Sequence, residues 1–567
     1  MTKILVQQRP FLTRPENFQG VSPLVAKILA RRGVQSTQEL ELKLKNLLAP
    51  TMLGLPEAIT LIDQAIDQQK KIVIVGDYDA DGATSTALMV LALRQMGADV
   101  EYLVPDRFKY GYGLTPAIAD LAFAKFTPDL LITVDNGISS HDGVQQAQDH
   151  GMQVIITDHH LTTKPTPKAE AVVNPNQLGC PFPSKALAGV GVAFYVLANL
   201  SSHRKQQGKS HVAMVQYLDL VALGTYADVA SLDYNNRILI EAGVQRIRQQ
   251  QCRAGIIALL DLAKRDPLHL TAADLGFVLG PRINAAGRMD TMDIGIECLL
   301  AANIEIAYPL AEQLNQLNLE RRQVEGQIKQ DALATLEHIQ LDQDNLPPAL
   351  VLFEPHWHQG VIGIVAGRLK EQFHRPSIVF ACDEDGVHIK GSARSIDGIH
   401  IRDAIEMLAE QHPHLVSHFG GHAAAAGLTI KKQHFNEFKT RFESLIAQHD
   451  ADLFQAILWT DGELNAHEFT LDTVDVLKNL SPWGQKFPSP VFEGHFKIVD
   501  FRWLKEVHLK LRLALADGQI VEAIAFNAAS KYEFNPMQDH VHLVYELDRN
   551  EFNGQVSLQL KVQHLRQ

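Results

Sequence analysis

Between residues 72 and 173 five short apolar runs recur: IVIV (72–75), VEYLV (100–104), LLITV (130–134), VIIT (154–157) and AVV (171–173). Stretches of helical character alternate with them. Strand, crossover helix, strand, repeated at this spacing, is the pattern of a parallel α/β sheet. A chain that keeps it for a hundred residues has few other folds open to it. The predicted fold class is therefore α/β.

With 567 residues the chain is long enough for about three or four domains. Residues 1–70 read as a helical segment (SPLVAKILARRGV, then PEAITLIDQAIDQQ), and 71–300 hold the parallel-sheet domain. In 307–340, Leu310, Leu314, Leu317, Val324 and Ile328 fall near helical spacing with charges between them. That predicts a long helix, on the order of 45–50 Å, as an inter-domain spacer over 301–345. A second, smaller α/β domain follows over 346–452 (ALVLFE, GVIGIVAGRLKEQF, SIVFA), and 456–567 read as a β-rich, OB-like domain with alternating runs such as HLKLRLALADG.

Several function classes are excluded at this level. The opening MTKILVQQRP is too short an apolar run for a signal peptide, and nowhere do about 18 apolar residues run together, so no membrane partner is expected. Four dispersed cysteines without a CxxC exclude a cysteine-based zinc site and suit a reducing cytoplasm. A net charge of −13 lacks the basic footprint of a generic nucleic-acid binder. Any polyanion must here be met by local cations or metal ions.

In a parallel sheet, ligands sit beyond the carboxyl ends of the strands. Those ends carry charge again and again in this chain. IVIVG is followed by Asp77, Asp79 and Asp81; VEYLVP by Asp106-Arg107; LLITV by Asp135-Asn136-Gly137; VIIT by Asp158-His159-His160. LVALGTYADVA places Asp228 after another apolar segment. One such Asp is commonly a helix N-cap, but their convergence on one edge points elsewhere. Crowded carboxylates repel unless a cation sits among them, and oxygen-rich sites with one or two imidazoles suit Mn²⁺ or Mg²⁺. GDYDADG fails as an EF-hand loop, because Leu88 stands where a bidentate Glu is required. Its DxDG also resembles the haloacid-dehalogenase phosphatase motif, which remains an alternative, although Ala83 follows the Gly and the other Asp and His residues would then have no role.

Asp158-His159-His160 after one strand, Asp79, Asp81 and Ser85 after an earlier one, and Asp135 between them resemble the motifs of the DHH phosphoesterase superfamily. VSPLVAKILARRG, PDRFKYGYGL, TVDNGISS, LGTYADVA, GPRINAAGR, HQGVIGIVAGRL, GSARS and GGHAAAAG extend the likeness to its single-strand-specific exonucleases, from about residue 20 to 430. The resemblance implies two divalent ions, Mn²⁺ or Mg²⁺, held by Asp79, Asp81, Asp135, His159 and Asp228, with Asp77 as a further ligand or supporting group. The chain departs from many members in having Val75 where they carry a His, a gap Asp77 would fill. His160 is expected to contact phosphate or support the ligands, and Asp158 to orient a histidine by accepting its N–H. The implied reaction is hydrolysis of single-stranded DNA from the 5′ end to mononucleotides, in DNA repair and recombination. The two α/β domains would then form a cleft too narrow for duplex, with the OB-like tail feeding the strand.

Three further stretches have DNA-binding roles by this reading. Ser392 and Arg394 of GSARS, with Arg107, are candidates for gripping a 5′-phosphate, the other reading being structural ion pairs. Arg282, Asn284 and Arg288 of GPRINAAGR, read as a Gly-punctuated loop before a helix, would position the DNA backbone or else lock domains together. GGHAAAAG, with His422, is read as a loop approaching a ligand closely, and His356 and His358 around Trp357 as packing residues. In HLKLRL the polar His508, Lys510 and Arg512 alternate with Leu509, Leu511 and Leu513, so one strand face is basic and, with Trp503 and Phe501, resembles a base-stacking OB surface. Against the exonuclease stand a small-substrate phosphoesterase (nano-RNase, pyrophosphatase or cyclic-dinucleotide phosphodiesterase) and a non-catalytic replication scaffold. A single-strand-binding protein and a helicase are partners the resemblance implies.

Overall fold

The computed structural model describes all residues except 1–3, 106, 163, 339–345, 384, 481 and 553. It divides into two compact units, one of Phe11–Asn318 with Val476–Ser489, the other of Met1–Pro10, Leu319–Asp475 and Pro490–Gln567. Among the described residues no helix is long and apolar enough to cross a membrane, and the four cysteines are unpaired.

The first described element is a strand, β1 (Ile4–Gln8), where helix was expected, although helices follow at Pro23–Ala30 and Leu55–Asp67. In the first helix Ser22 caps the start, its hydroxyl accepting from the Val25 N–H at 3.3 Å. The five apolar runs form one wholly parallel sheet of β2 (Lys71–Val75), β3 (Asp99–Leu103), β4 (Leu130–Val134), β5 (Gln153–Thr157) and β6 (Ala171–Val173), in the order β3-β2-β4-β5-β6. Ile72 to Ile74 and Leu131 to Ile132 are wholly buried because helices cover both faces, each such side chain contributing about 1.5–3 kcal/mol. One crossover differs from expectation. Between β5 and β6 the described residues form no helix, since Pro165 and Pro167 deny it both donors and backbone freedom.

From β2 the chain moves outward to β3 and then returns past β2 to β4. The direction of winding thus reverses between β2 and β4, which is where a crevice opens beyond the carboxyl ends of such a sheet. Asp77 lies just past β2 and Asp135 directly past β4, on the two sides of that reversal. Asp228 is different. It caps the C-terminus of a helix, Leu218–Ala227, so its apolar run is not a strand. GPRINAAGR is likewise a helix, Gly280–Met289, rather than a loop.

In the other unit, β7 (Leu350–Phe353), β8 (Ser377–Cys382), β9 (His388–Arg394), β10 (His418–Gly421) and β11 (Ala425–Lys431) make a mixed sheet in which only β7 and β8 are parallel. GGHAAAAG is therefore the bend between β10 and β11, held by the His422 N–H donating to the Ala425 carbonyl at 2.8 Å. β12 (Ala456–Thr460) pairs in parallel with β1. β13 (Phe492–Leu504), β14 (His508–Ala514), β15 (Ile520–Ala525), β16 (His540–Phe552) and β17 (Gln555–Arg566) close a five-stranded barrel in the order β13-β14-β15-β17-β16. Its one parallel pair, β15 with β17, marks the OB-type architecture. The long helix runs Ile304–His338, within a few residues of expectation, and the boundary between units falls inside it. The expected domain boundaries are crossed twice, by β1 and by Val476–Ser489, whose Trp483 and Phe487 pack on residues of the first unit.

Candidate metal centre

Three turns build the crevice. After β2 the chain reaches Asp79, which caps the helix Ala80–Gln95, its Oδ1 accepting the Asp81 and Gly82 N–H groups at 2.9 and 3.0 Å. Asp81 in the first turn is buried, and the helix starting at Gly189 meets it. Its carboxylate accepts the Gly189 N–H at 2.6 Å and the Val190 N–H at 2.8 Å. Gly189 also permits the approach of Asp135, since a Cβ there would lie 2.6 Å from that residue's Cβ.

After β4, Asp135 takes a left-handed conformation, φ 62°, that few residues other than Gly, Asn and Asp adopt readily. The turn is pinned around it: Asn136 Nδ2 donates to the Val75 and Val134 carbonyls at 3.1 and 2.9 Å, and Thr133 Oγ1 to the Asn136 carbonyl at 2.7 Å. After β5, Asp158 is buried and accepts the Ile138 N–H at 2.9 Å on one oxygen and the His160 Nδ1 at 2.7 Å on the other. Asn176 and Asn174 donate to the carbonyls of His159 and His160 at 2.5 and 3.0 Å, fixing the backbone that carries both rings.

The result is a ring of acidic and imidazole groups. Asp77, Asp79 and Asp135 offer ligand atoms within 4.8 Å of one another, as do Asp81, His159 and Asp228, and as do Asp135, His159 and His160. His159 Nε2 lies 3.0 Å from Asp135 Oδ1, 3.8 Å from Asp81 and 3.9 Å from Asp228. Asp135 Oδ1 and His159 Nε2 are both buried, and neither makes a hydrogen bond. Two unsatisfied buried polar atoms facing each other are costly alone and fit a shared cation. The donor set, mostly carboxylate with one imidazole, suits Mn²⁺ or Mg²⁺.

Burial and the mutual repulsion of the aspartates push Asp135 and Asp228 well above the usual carboxylate range, and Asp81 up to about 7. Burial also lowers the His159 imidazole to about 4, leaving a neutral ring with a lone pair. His160 is opposite in character. Burial works against its charge, but its hydrogen bond to Asp158 and that carboxylate's attraction raise it to about 9. Adjacent histidines thus serve as a neutral donor atom and a standing cation.

Sequence reasoning brings together Asp77, Asp79, Asp81, Asp135, His159, His160 and Asp228, and the fold places all seven here. It misses Gly189, Val190, Asn174 and Asn176; the only signals are the glycines of LAGVGVA and the NPN after the last strand. Elsewhere, Asn284 Oδ1 accepts the Ala80 N–H at 2.7 Å, holding the start of the helix that carries Asp81, while Arg282 donates to Val278 and Asn315 at 2.7 and 3.1 Å and so braces its own helix against helix Ile304–His338. Arg288, in the same helix, is half-buried. The side chain of Arg107 lies outside the described residues. Arg394 donates to Ser392 Oγ at 3.2 Å, and Gly363, early in helix Ile362–Phe373, leaves room for both. Among the described residues no carboxylate lies within ion-pair distance of Arg394, whose guanidinium burial pushes down. His422 is exposed. His356 donates to Asp331 at 2.9 Å, and Trp357 is buried. On the barrel, Leu509, Leu511 and Leu513 are buried while Arg512 is exposed; Lys510 instead pairs with Glu522 at 2.7 Å. Trp503 is exposed, with Phe534 between it and Phe501.

Comparison with known proteins bears on this geometry. The profile of the DHH family, N-terminal domain, matches residues 71–225, that of the DHHA1 domain 347–448, and that of the RecJ OB domain 460–564. The single-stranded-DNA-specific exonuclease RecJ of Dickeya dadantii is 49% identical over 552 residues, 96% of each chain. This chain belongs to the RecJ family. The RecJ of Escherichia coli is 46% identical over 553 residues, again 96% of both chains. Among solved structures, RecJ from Thermus thermophilus in complex with Mn²⁺ is similar over the whole of this chain and 79% of its own, with a TM-score of 0.84 at 30% identity. The complex of that RecJ with Mg²⁺ matches at a TM-score of 0.78 and 28% identity, over 100% of this chain and 78% of that one.

Proposed function

We propose that this RecJ-family chain is a metal-dependent exonuclease that hydrolyses single-stranded DNA from the 5′ end, releasing mononucleotides in DNA repair and recombination in the cytoplasm. The observation that carries the reading is the buried, unsatisfied pair Asp135 Oδ1 and His159 Nε2 at the centre of the aspartate ring, in a chain so closely similar to proteins named as single-stranded-DNA-specific exonucleases.

Asp77, Asp79 and Asp135 would hold one divalent ion and Asp81, His159 and Asp228 a second, with Asp135 between them. A pair of Mn²⁺ or Mg²⁺ ions supplies an activated water near neutral pH and stabilises the leaving oxygen. The chain's own residues do the rest. Asp81 is kept from swinging away by the Gly189 and Val190 N–H groups. His160, protonated against Asp158, offers a positive N–H to the scissile phosphate. Arg394 and Ser392 receive the terminal 5′-phosphate, with His422 in the bend before β11, the strand that pairs with that of Ser392. Arg107 and Arg288 are further cations for the DNA backbone. Asn284 acts indirectly, by holding the start of the helix that carries Asp81, and Arg282 by bracing the helix that carries Asn284. Trp503 stacks bases while Arg512 and Lys510 meet backbone phosphates. A single-strand-binding protein and an end-generating helicase are the partners this activity calls for.

The test uses 5′-phosphorylated, 3′-labelled single-stranded DNA with Mn²⁺, beside the matching duplex and Asp135→Ala protein. Labelled products that shorten stepwise, absent for duplex and variant, are expected. A labelled strand that stays intact while short oligonucleotides are hydrolysed would replace the proposal with the small-substrate reading.

A further inference from the structure

Beyond the crevice, one other group of metal-ligating side chains stands out among the described residues: His414, His434 and Glu437, whose ligand atoms lie within 4.8 Å of one another. They sit on the surface of the mixed-sheet domain. His434 caps the start of helix Phe435–Ile446 and Glu437 lies in its first turn, so the two share one end of that helix. His414 comes from the turn after helix Ile401–Gln411.

Both attachments are firm. Leu415 next to His414, and Phe438 next to Glu437, are wholly buried. The Leu415 N–H donates to the His412 carbonyl at 3.0 Å, closing the turn. Arg441 donates to Glu437 Oε1 at 3.0 Å, which orients the carboxylate and leaves Oε2 toward His414. The His414 and His434 rings meet edge to face with centroids 5.5 Å apart, and the His412 ring lies 6.3 Å from His414.

His414 Nε2 and Glu437 Oε2 are 3.4 Å apart. That is long for a hydrogen bond to a carboxylate, about 2.7–2.9 Å. It equals the spacing of two ligands on a tetrahedral ion with arms of about 2.1 Å, which is about 3.4 Å. The donor chemistry also differs from that of the crevice. Two imidazoles and one carboxylate, with a third imidazole near, favour a borderline transition ion over Mg²⁺ or Mn²⁺. The partial positive charge of the helix N-terminus opposes a cation, and Glu437 in the first turn offsets it.

We propose that His414, His434 and Glu437 form a second, accessory site for a divalent transition ion of the Zn²⁺ class, separate from the exonuclease centre. Bound there, the ion ties the start of helix Phe435–Ile446 to the turn after helix Ile401–Gln411 and leaves catalysis untouched.

The experiment is a calorimetric Zn²⁺ titration of the full-length protein in excess Mn²⁺, comparing wild type with H414A/H434A. Zn²⁺ that displaces Mn²⁺ from the crevice is taken up by both proteins, so the accessory site is the difference between them. The wild type is expected to bind one Zn²⁺ more than the variant, while the Mn²⁺-dependent rate on single-stranded DNA stays within about two-fold. Equal Zn²⁺ uptake by the two overturns the proposal. Should the double variant fail to fold, H434Q keeps a polar group of similar size. Loss of a ligand's supporting partner alone weakens metal binding about 10–100-fold, so H434Q is expected to weaken the extra Zn²⁺ at least ten-fold. Unchanged affinity there also overturns the proposal.

Discussion

Gly189→Ala is a one-methyl perturbation whose consequence follows from the geometry. The added Cβ would lie 2.6 Å from Asp135 Cβ, 2.8 Å from its Oδ1 and 2.9 Å from its Cα. Non-bonded carbons rest at about 3.5–4.0 Å, so roughly 1 Å must open between the start of helix Gly189–Gln206 and the Asp135 turn. Neither side yields easily. The helix start is bonded to Asp81 through two N–H groups, and Asp135 is fixed in a left-handed turn by Asn136 and Thr133. Overpacking of this kind costs about 1–3 kcal/mol, out of a total stability of about 5–15 kcal/mol, so the variant should fold. A misplacement of about 1 Å at reacting groups, however, costs on the order of 10²-fold in rate. The expected outcome is a thermal midpoint a few degrees lower, with initial rates on 5′-phosphorylated single-stranded DNA down about 10²-fold at saturating Mn²⁺. Gly191→Ala is the control, because the nearest neighbours of its Cβ are all on the Leu187 side chain, whose end lies at 3.0 Å. Near-wild-type rates for Gly189→Ala would refute the claim that Asp135 and this helix start are held in register for chemistry.

The titration of the site gives a second expectation. In metal-free protein Asp81 at about 7 still holds a proton that its unfolded form, at 3.8, has lost, and His160 at about 9 holds one that its unfolded form, at 6.5, has lost. Asp135 and Asp228, also raised, add to this, while the His159 ring, at about 4 against 6.5 unfolded, offsets one proton below about 6.5. The site still binds more protons native than unfolded, so its contribution to stability should fall as pH rises from about 4 to about 9; a thermal midpoint that rises between about 6.5 and 9 would contradict the assignment. Mn²⁺ must displace those carboxyl protons, so calorimetry should show proton release and tighter binding as pH rises from 5 to 8. Asp158→Asn removes the carboxylate charge that faces the His160 N–H, and the NMR titration of that ring in metal-free protein should drop below about 9. Arg394→Lys keeps the charge but loses the planar fork; it should abolish preference for a 5′-phosphate over a 5′-hydroxyl end, measured as a ratio of kcat/KM values. On the barrel, exposed Arg512→Ala should weaken single-strand binding and reduce the salt slope by about 1, whereas Lys510→Ala, its cation already paired with Glu522, should do less.

What is legible in the sequence and what is not divides along physical lines. A strand buried on both faces prints as an unbroken apolar run, and a ligand at its carboxyl end prints as Asp directly after it. β2, β4 and β5, and the charged residues Asp77, Asp135 and Asp158-His159-His160 at their ends, are therefore readable from spacing, whereas which of them would hold metal follows only from the resemblance. Asp228 is found by motif, but the type of element before it is not legible, because LVALGTYA is apolar on every side and a fully buried helix looks like a buried strand over so short a span. GPRINAAGR reads as a loop on its glycines. In the structure a Cβ at Gly287 would sit 2.0 Å from the Tyr78 carbonyl, a packing demand that local propensity does not register. β1 escapes notice because its partner, β12, is some 450 residues away, and five residues of ILVQQ carry no periodicity of their own. Gly189, Val190, Asn174 and Asn176 act through backbone or by holding backbone, and leave no side-chain chemistry to read.

The most direct test of the central claim is anomalous diffraction at the manganese edge from crystals of the wild-type protein grown with Mn²⁺, alongside Asp135→Ala crystals. Two peaks about 3.5–4 Å apart are expected in the wild type, one among Asp77, Asp79 and Asp135, the other among Asp81, His159 and Asp228, with at least one lost in the variant. A single peak in the wild type, or peaks that survive unchanged without the Asp135 carboxylate, would contradict a two-ion centre built around that residue.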